Sequence, residues 1–147
     1  LQDRDIIYVD QCQAQGSFVS KVQIGTRWPA YATVIGQLLL SDLPEDKVKA
    51  LFKDYQEWGS YTGDTPKNLS ELLTRLESIR GSDSIIGWGY FHASMATCAA
   101  PVFRRDSGKM AAVISVSYGE IRQKVENAAT QLSRQLTHYN DNALGLD

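Results

Sequence analysis

The stretch from Ala99 to Ser117 is the sequence feature that most constrains the fold of this chain. It reads AAPVFRRDSGKMAAVISVS, two apolar segments on either side of a tight Asp-Ser-Gly turn. Apolar strand formers that flank a short turn containing glycine are typical of a β-hairpin. We therefore predict antiparallel strands at about Ala93–Arg104 and Lys109–Tyr118, with the basic pair Arg104-Arg105 at the solvated tip.

The rest of the chain combines short strands with longer amphipathic helices. Pro44 suits the first turn of a helix, and Thr33 can cap the start of another. Asn68 precedes Glu71 by the spacing of a capping box, and Gly81 is suited to end the helix that follows. These signals and the hydrophobic periodicity predict strands over Asp5–Asp10 and Phe18–Ile24, a helix beginning at Thr33, and helices over Glu45–Tyr55, Asn68–Arg80 and Glu120–Tyr139.

The order of these elements is two strands, three helices, two strands and a final helix, which is not the regular βαβ alternation of a parallel sheet. It favours an α+β domain with a mainly antiparallel sheet and helices packed on it. A chain of 147 residues is long enough for one domain with its own core. No internal repeat and no linker divides it.

The charge balance bears on the class of partner. Formal net charge is −2, and binding of nucleic-acid phosphates needs clustered Lys and Arg, so we expect this segment not to hold DNA or RNA by itself. Cys12 and Cys98 form no C-x-x-C pair, which gives no support for a zinc site, and free cysteines fit a reducing, cytoplasmic setting. The sequence has no visible membrane span or signal peptide, and we expect neither a cofactor nor a metal.

Catalytic motifs do not occur in the sequence. His92 and His138 belong to no H-E-x-x-H signature, and neither a G-x-S-x-G motif nor a phosphate-binding loop is present. Cys98 and His92 are candidates for a nucleophile pair by residue type alone, since nothing in the sequence fixes their geometry. We therefore expect that the protein is not an enzyme.

The second hairpin strand carries two serines on one face. Side chains alternate along a strand, so Ala111, Val113, Ser115 and Ser117 share one side, and Met110 faces the other. Both sides are largely apolar, which predicts that both faces are covered and the hydroxyls buried. A buried hydroxyl needs a hydrogen-bonding partner, and backbone, water and a polar ligand all remain open.

The helix that follows Thr33 offers a second place for a ligand. The backbone N–H groups of Val34 and Ile35 fall in its first turn, where the helix itself provides no acceptor. Such groups attract carboxylates.

Two stretches, taken together and in this order, resemble the effector-binding domain of IclR-type bacterial transcriptional regulators. GTRWPAYATVIGQLLLS, over Gly25–Ser41, is similar to the family's G-x-x-x-P-x-x-A-T-A-x-G-K-A-x-L-A, and the hairpin is similar to I-A-A-P-V…A-A-I-S-V-S. The resemblance covers nearly the whole chain, although the part past Tyr118 is generic. The chain keeps these residues of the two motifs: Gly25, Pro29, Ala32, Thr33, Gly36, Leu39, Ala99, Ala100, Pro101, Val102, Ser115 and Ser117.

The resemblance implies a GAF-like fold, a small-molecule effector, and assembly into a homodimer or homotetramer. It implies that residues 1–147 are the effector-binding domain, that the family's first strand lies ahead of Leu1, and that DNA is bound only through an N-terminal winged helix-turn-helix domain absent from this chain. In the family, the serines of I-S-V-S line the pocket, the helix start closes it, and ligands are often small organic acids. The implied effector site comprises Val34, Ile35, Tyr90, Thr97, Ser115 and Ser117, where Thr97 stands at the position of a common Cys.

Departures from the family pattern leave alternatives open. Gln37 replaces the common Lys of G-K-A, and the stretch before the hairpin has aromatic residues where relatives usually carry an acid. Trp88, Tyr90 and Phe91 either favour an aromatic or less polar ligand or pack at an interface. The alternative functions are a GAF-like sensor domain of another signalling protein and a protein-interaction module without a small-molecule ligand. Aromatic residues in irregular segments are candidates for an apolar patch that promotes self-association: Trp28, Tyr31, Trp58 and Tyr61.

Overall fold

The structure of the chain, a computed structural model, describes residues 1–12, 22–62, 64–88, 95–119, 127 and 130–139. The elements in this part are β1 (Asp5–Ile7), β2 (Arg27–Pro29), a 3-10 turn (Ala30–Ala32), α1 (Val34–Ser41), α2 (Glu45–Phe52), α3 (Leu69–Ile79), β3 (Ile85–Trp88), β4 (Met95–Phe103) and β5 (Met110–Gly119). Residues 130–139 form helix α4. The predicted α+β class is confirmed.

The strands form two antiparallel sheets in the described part of the chain. Strand β1 pairs with β2, and β4 lies between β3 and β5. The hairpin β4–β5 is the one predicted from the sequence, and its turn is closed by the N–H of Arg104, which donates to the carbonyl of Lys109 at 2.9 Å. Gly108 takes φ +63° in this turn, a conformation that favours glycine.

A β-bulge near the tip changes which side chains of β5 face the core. Val102 lies opposite Ala112, but Phe103 lies opposite Met110, so Ala111 is an extra residue on β5. As a result Met110 and Val113 both pack against the main core. The prediction that these two residues lie on opposite faces is wrong, because simple alternation does not survive a bulge.

The first part of the chain differs from the prediction in where its strands lie. Strand β1 ends at Ile7 and pairs with Arg27–Pro29, a segment for which the sequence predicts no strand. Of the predicted strand Phe18–Ile24, residues 18–21 lie outside the described residues, and residues 22–24 lead into a turn in which Gly25 has φ +88°. The strand pairing here joins residues about twenty positions apart, which local patterning does not determine.

The helix signals are confirmed where the structure describes them. The N–H of Gly36 donates to Thr33 Oγ1 at 3.0 Å, and the N–H of Glu71 donates to Asn68 Oδ1 at 2.9 Å. Helix α2 ends at Phe52 rather than at Tyr55, and the rings of Tyr55 and Trp58 lie against that of Phe52. The predicted helix Glu120–Tyr139 is confirmed over residues 130–139, while residues 120–126, 128 and 129 lie outside the described part.

The main core forms around helix α1, which contacts β3, β4 and β5 and also packs against α3. Its apolar members come from every layer: Ile6, Tyr31, Val34, Leu38, Leu40, Val48, Phe52, Leu72, Leu76, Ile79, Ile85 and Ala99. A smaller cluster lies on the other face of the sheet, where Leu132 of α4 packs against Ala96 and Cys98. The sheet β3–β4–β5 therefore separates α1 from α4.

Candidate functional site

A pair of hydroxyl groups on neighbouring strands forms the polar part of the candidate site. Thr97 on β4 and Ser117 on β5 lie directly opposite each other, and their hydroxyl oxygens are hydrogen-bonded at 3.0 Å. Gly87 on β3 lies opposite Thr97 on the other side. Directly opposed residues of antiparallel strands present their side chains on the same face. Three strands thus contribute one row with two hydroxyls and one position without a side chain.

The next row on the same face is mainly apolar and lies under helix α1. Ile85, Ala99 and Ser115 stand opposite one another across the three strands. Ile85 and Ala99 belong to the same core cluster as Val34 at the start of α1. The face is therefore closed by α1 at this row and opens toward the row of Thr97 and Ser117.

The exposure of the hydroxyl groups corrects the expectation that both faces of β5 are covered. Ser117 is exposed, whereas Thr97 and Ser115 are half-buried. On the other face Ile114 is 46% exposed. In the described part of the chain β5 is the outer strand of its sheet, which leaves its side chains less covered than those of β4.

The start of helix α1 supplies the second component of the candidate site. The N–H of Gly36 donates to Thr33 Oγ1. The N–H of Gln37 donates to the Thr33 carbonyl at 2.9 Å. The first-turn N–H groups of Val34 and Ile35 precede these bonds. Val34 itself is 4% exposed and packs in the core, so its side chain is not available to a ligand.

Close packing holds this helix start in place. A Cβ atom at Gly36 would collide with the backbone of Ala30, so glycine lets α1 lie directly against the preceding 3-10 turn. Gln37, 0% exposed, donates from Nε2 to the carbonyl of Tyr31 at 2.9 Å, and its Oε1 accepts from Nε of Arg75 on α3 at 3.2 Å. The sequence pattern marks Gln37 only as a departure from the family motif and gives no sign of Arg75, because no local signal pairs residues that far apart.

The aromatic residues proposed as an apolar patch pack largely against one another. Tyr31 is fully buried, with its ring centroid 4.8 Å from that of Trp58, and Trp58 stacks on Phe52. The Tyr31 hydroxyl donates to the carbonyl of Glu57 and accepts from the N–H of Gly59. The expectation of an apolar patch at the surface is therefore wrong for Tyr31, whereas Trp58 is half-buried. The two rings join the 3-10 turn to the segment after α2.

The register of β3 determines the face of the sheet on which Trp88 lies. Trp88 stands opposite Ala96, and Ala96 lies on the face away from Thr97. Trp88, 38% exposed, is therefore on the α4 side of the sheet and not beside the hydroxyl pair. Tyr90 and Phe91 lie outside the described residues, as does His92.

The two cysteines of the chain differ in burial. Cys98 is 0% exposed on the α4 side of the sheet, and burial raises the pKa of its thiol, so the neutral form is favoured. Cys12 is exposed. Among the described residues, no group of His, Cys, Asp and Glu could hold a metal ion, and no helix has the length and apolarity to cross a bilayer.

Known proteins share both the sequence pattern and the fold of this chain. The family model described as bacterial transcriptional regulator IclR C-terminal matches residues 1–141. The HTH-type transcriptional regulator XynR of Escherichia coli (strain K12) is 26% identical over 148 residues, which cover 92% of this chain and 57% of XynR. The chain thus spans little more than half the length of this curated relative.

Solved structures agree with the sequence comparison. The C-terminal domain of the E. coli transcriptional regulator KdgR matches with a TM-score of 0.78 at 22% identity, covering 99% of this chain and 84% of that chain. An IclR homolog from Microbacterium hydrocarbonoxydans, solved in complex with 4-hydroxybenzoate, matches with a TM-score of 0.81 at 15% identity, covering 100% of this chain and 59% of that chain. At these identities the two structures establish the fold.

The relatives are regulators of transcription and not enzymes, which agrees with the expectation that this protein does not catalyse a reaction. The family model extends over nearly the whole sequence. This chain belongs to the IclR family of bacterial transcriptional regulators and corresponds to its C-terminal domain.

Proposed function

We propose that this domain senses a small organic effector and thereby changes the DNA affinity of the regulator that contains it. The observation that carries the proposal is the hydroxyl pair of Thr97 and Ser117, at the open end of a sheet face whose other end α1 closes. The Microbacterium homolog, whose fold this chain shares, holds 4-hydroxybenzoate. This supports a ligand of similar size for the present domain.

The chemistry of the described residues favours an acid with an apolar or aromatic body. Hydroxyl groups of Thr97, Ser115 and Ser117 can donate to oxygen atoms of a ligand, and the first-turn N–H groups of Val34 and Ile35 attract a carboxylate. Gly87, which has no side chain, leaves space for a planar group beside the hydroxyl pair. Tyr90 completes the proposed set of lining residues, although it lies outside the described part.

DNA binding belongs, in this proposal, to a winged helix-turn-helix domain outside residues 1–147. The net charge of −2 supports this division, as does the chain's share of 57% of XynR. An effector changes DNA affinity only if it binds one arrangement of the assembled regulator better than another. We accordingly propose action in the bacterial cytoplasm as a homodimer or homotetramer, for which the family resemblance is the support.

Calorimetric titration tests the ligand class and the site together. We would titrate 4-hydroxybenzoate and the aliphatic acid succinate into the wild-type domain, Ser115→Ala and Ser117→Ala, with Ser70→Ala on the exposed face of α3 as a control. Loss of a hydroxyl that bonds the ligand should cost about 0.5–1.5 kcal/mol for a neutral group and about 1.5–3 kcal/mol for a charged one. Ser70→Ala should bind as the wild type does.

Two outcomes would contradict this proposal in different ways. Equal affinities of both site variants and the wild type would show that the hydroxyls of Ser115 and Ser117 do not bind the ligand. Binding of neither acid to the wild type would contradict the ligand class. A gel-shift experiment at low salt tests whether DNA binding belongs to another domain. Residues 1–147 alone should show no sequence-dependent binding to duplex DNA.

A further inference from the structure

Gln37 is a polar side chain in a position where the fold allows almost no freedom. It lies in the middle of α1, is 0% exposed, and both ends of its amide are used. Nε2 donates to the Tyr31 carbonyl at 2.9 Å and Oε1 accepts from Arg75 Nε at 3.2 Å. A buried amide of this kind costs stability unless its partners are present, so its two bonds depend on one another.

The partners of Gln37 belong to two different elements that contact α1. Tyr31 belongs to the 3-10 turn that leads into the first turn of α1. Arg75 lies on α3, which packs alongside α1. The amide therefore connects the start of α1 to a second helix that contributes nothing to the proposed ligand pocket.

The charge of Arg75 determines which residue can occupy position 37. A neutral amide accepts a hydrogen bond from a guanidinium group. A Lys at the same buried position, the residue common in the resembled motif, would place a second cation beside Arg75. Arg75 is thus compatible with a neutral hydrogen-bond acceptor at position 37 and unfavourable for a second cation there.

We propose that Gln37 and Arg75 form a matched pair of positioning residues that fixes the helix start at which the effector binds. The pair acts through the Tyr31 carbonyl, which Gln37 holds, and through Thr33, which follows the 3-10 turn and caps α1. This inference rests on the proposed function for its effect on ligand binding. Its effect on the helix start is independent of any ligand.

The ligand-free test is charge exchange at the two positions, followed by amide hydrogen exchange. Gln37→Lys should speed exchange of the Gly36 and Gln37 amides about tenfold or more, since a buried charge is left against a like charge. Adding Arg75→Glu should return the rates to within about threefold of the wild type, because opposite charges then meet. Lys49→Glu, which sets two like charges at the exposed Glu45 pair on α2, is the control and should leave α1 unchanged.

The double variant, Gln37→Lys with Arg75→Glu, is the decisive measurement. Amide exchange as fast as in Gln37→Lys alone would contradict the pairing of residues 37 and 75. If Gln37→Lys does not fold, a folded double variant is the rescue, and an unfolded double variant overturns the proposal. Gln37→Glu separates the two bonds, because its carboxylate still accepts from Arg75 but cannot donate to the Tyr31 carbonyl. We expect faster exchange at the helix start in this variant as well.

The ligand-dependent test uses 4-hydroxybenzoate as the probe and Arg75→Met as the variant. Its affinity should fall about fivefold or more, although Arg75 contributes nothing to the proposed pocket. Arg104→Met at the hairpin tip, which also removes an arginine bonded to another side chain, should bind as the wild type does. Faster exchange with unchanged affinity in Arg75→Met would overturn the positioning role. Absence of binding to the wild type would contradict the ligand class instead, with the exchange experiment still deciding on the pair.

Discussion

The hydroxyl oxygens of Thr97 and Ser117 lie 3.0 Å apart across strands β4 and β5, on the face of the sheet that α1 partly covers. Ser117 is exposed, so water competes for this hydrogen bond and the bond contributes little to folding. A pair of this kind is available to a ligand without a large loss of stability.

Ser117→Ala should therefore change the free energy of unfolding by less than about 0.5 kcal/mol. Urea denaturation followed by circular dichroism measures this. A loss of more than about 1.5 kcal/mol would show that the pair holds the sheet together, and would make the affinity of this variant unsuitable as evidence for the site.

Gly36→Ala should destabilise the domain by about 1–3 kcal/mol, although alanine normally favours a helix. The added methyl group would meet the backbone of Ala30, which cannot move without displacing the 3-10 turn. Urea denaturation checks the change, with Ser70→Ala as a substitution on an exposed helix surface. Equal or greater stability in Gly36→Ala would contradict the close approach of these two segments.

Arg80→Met should lower stability by about 1–2 kcal/mol. The Arg80 Nη1 atom donates to the carbonyls of Ser41, the last residue of α1, and Leu43, two residues further on, where no later turn of the helix supplies a donor. The exposed pair of Arg104 and Asp106 provides the comparison, because Arg104→Met should have no measurable effect on unfolding. Equal effects of the two substitutions would mean that Arg80 does not support α1.

The two cysteines should differ in reactivity. Cys12 is exposed, whereas burial raises the pKa of Cys98 and so lowers the thiolate fraction at any given pH. In the native domain at pH 8, iodoacetamide should label Cys12 alone, and Cys98 only when urea unfolds the chain. Mass spectrometry of the labelled peptides measures this. Rapid native labelling of Cys98 would contradict the packing of α4 over Ala96.

Local chemistry explains what the sequence could predict. The Asp-Ser-Gly turn, the cap at Thr33 and the cap at Asn68 each depend on residues within a few positions of one another. The fold class follows from the order of elements that such signals define. Strand β2 was missed because its pairing depends on a partner far along the chain, and the bulge at Ala111 because it depends on the register with β4.

The candidate site likewise contains features that the sequence could predict and features that depend on long-range packing. The resemblance to the family supplied Thr97, Ser115 and Ser117, and the register places them in neighbouring rows of one face. The side of the sheet on which Trp88 lies depends on where β3 enters its register, which composition cannot define. The partnership of Gln37 with Arg75 joins two helices, and only packing of the whole domain brings these residues together.

Helix α1 has no exposed residue, since six of its eight positions are buried and Ile35 and Leu39 are half-buried. A segment enclosed on all sides accepts few substitutions for reasons of packing alone. In a library of random variants selected only for folding, Val34–Ser41 should therefore remain close to the parental sequence. Sequence conservation along this helix is consequently no evidence of ligand recognition. Ser117 is exposed, so we expect the residue at this position to differ among relatives that bind different ligands.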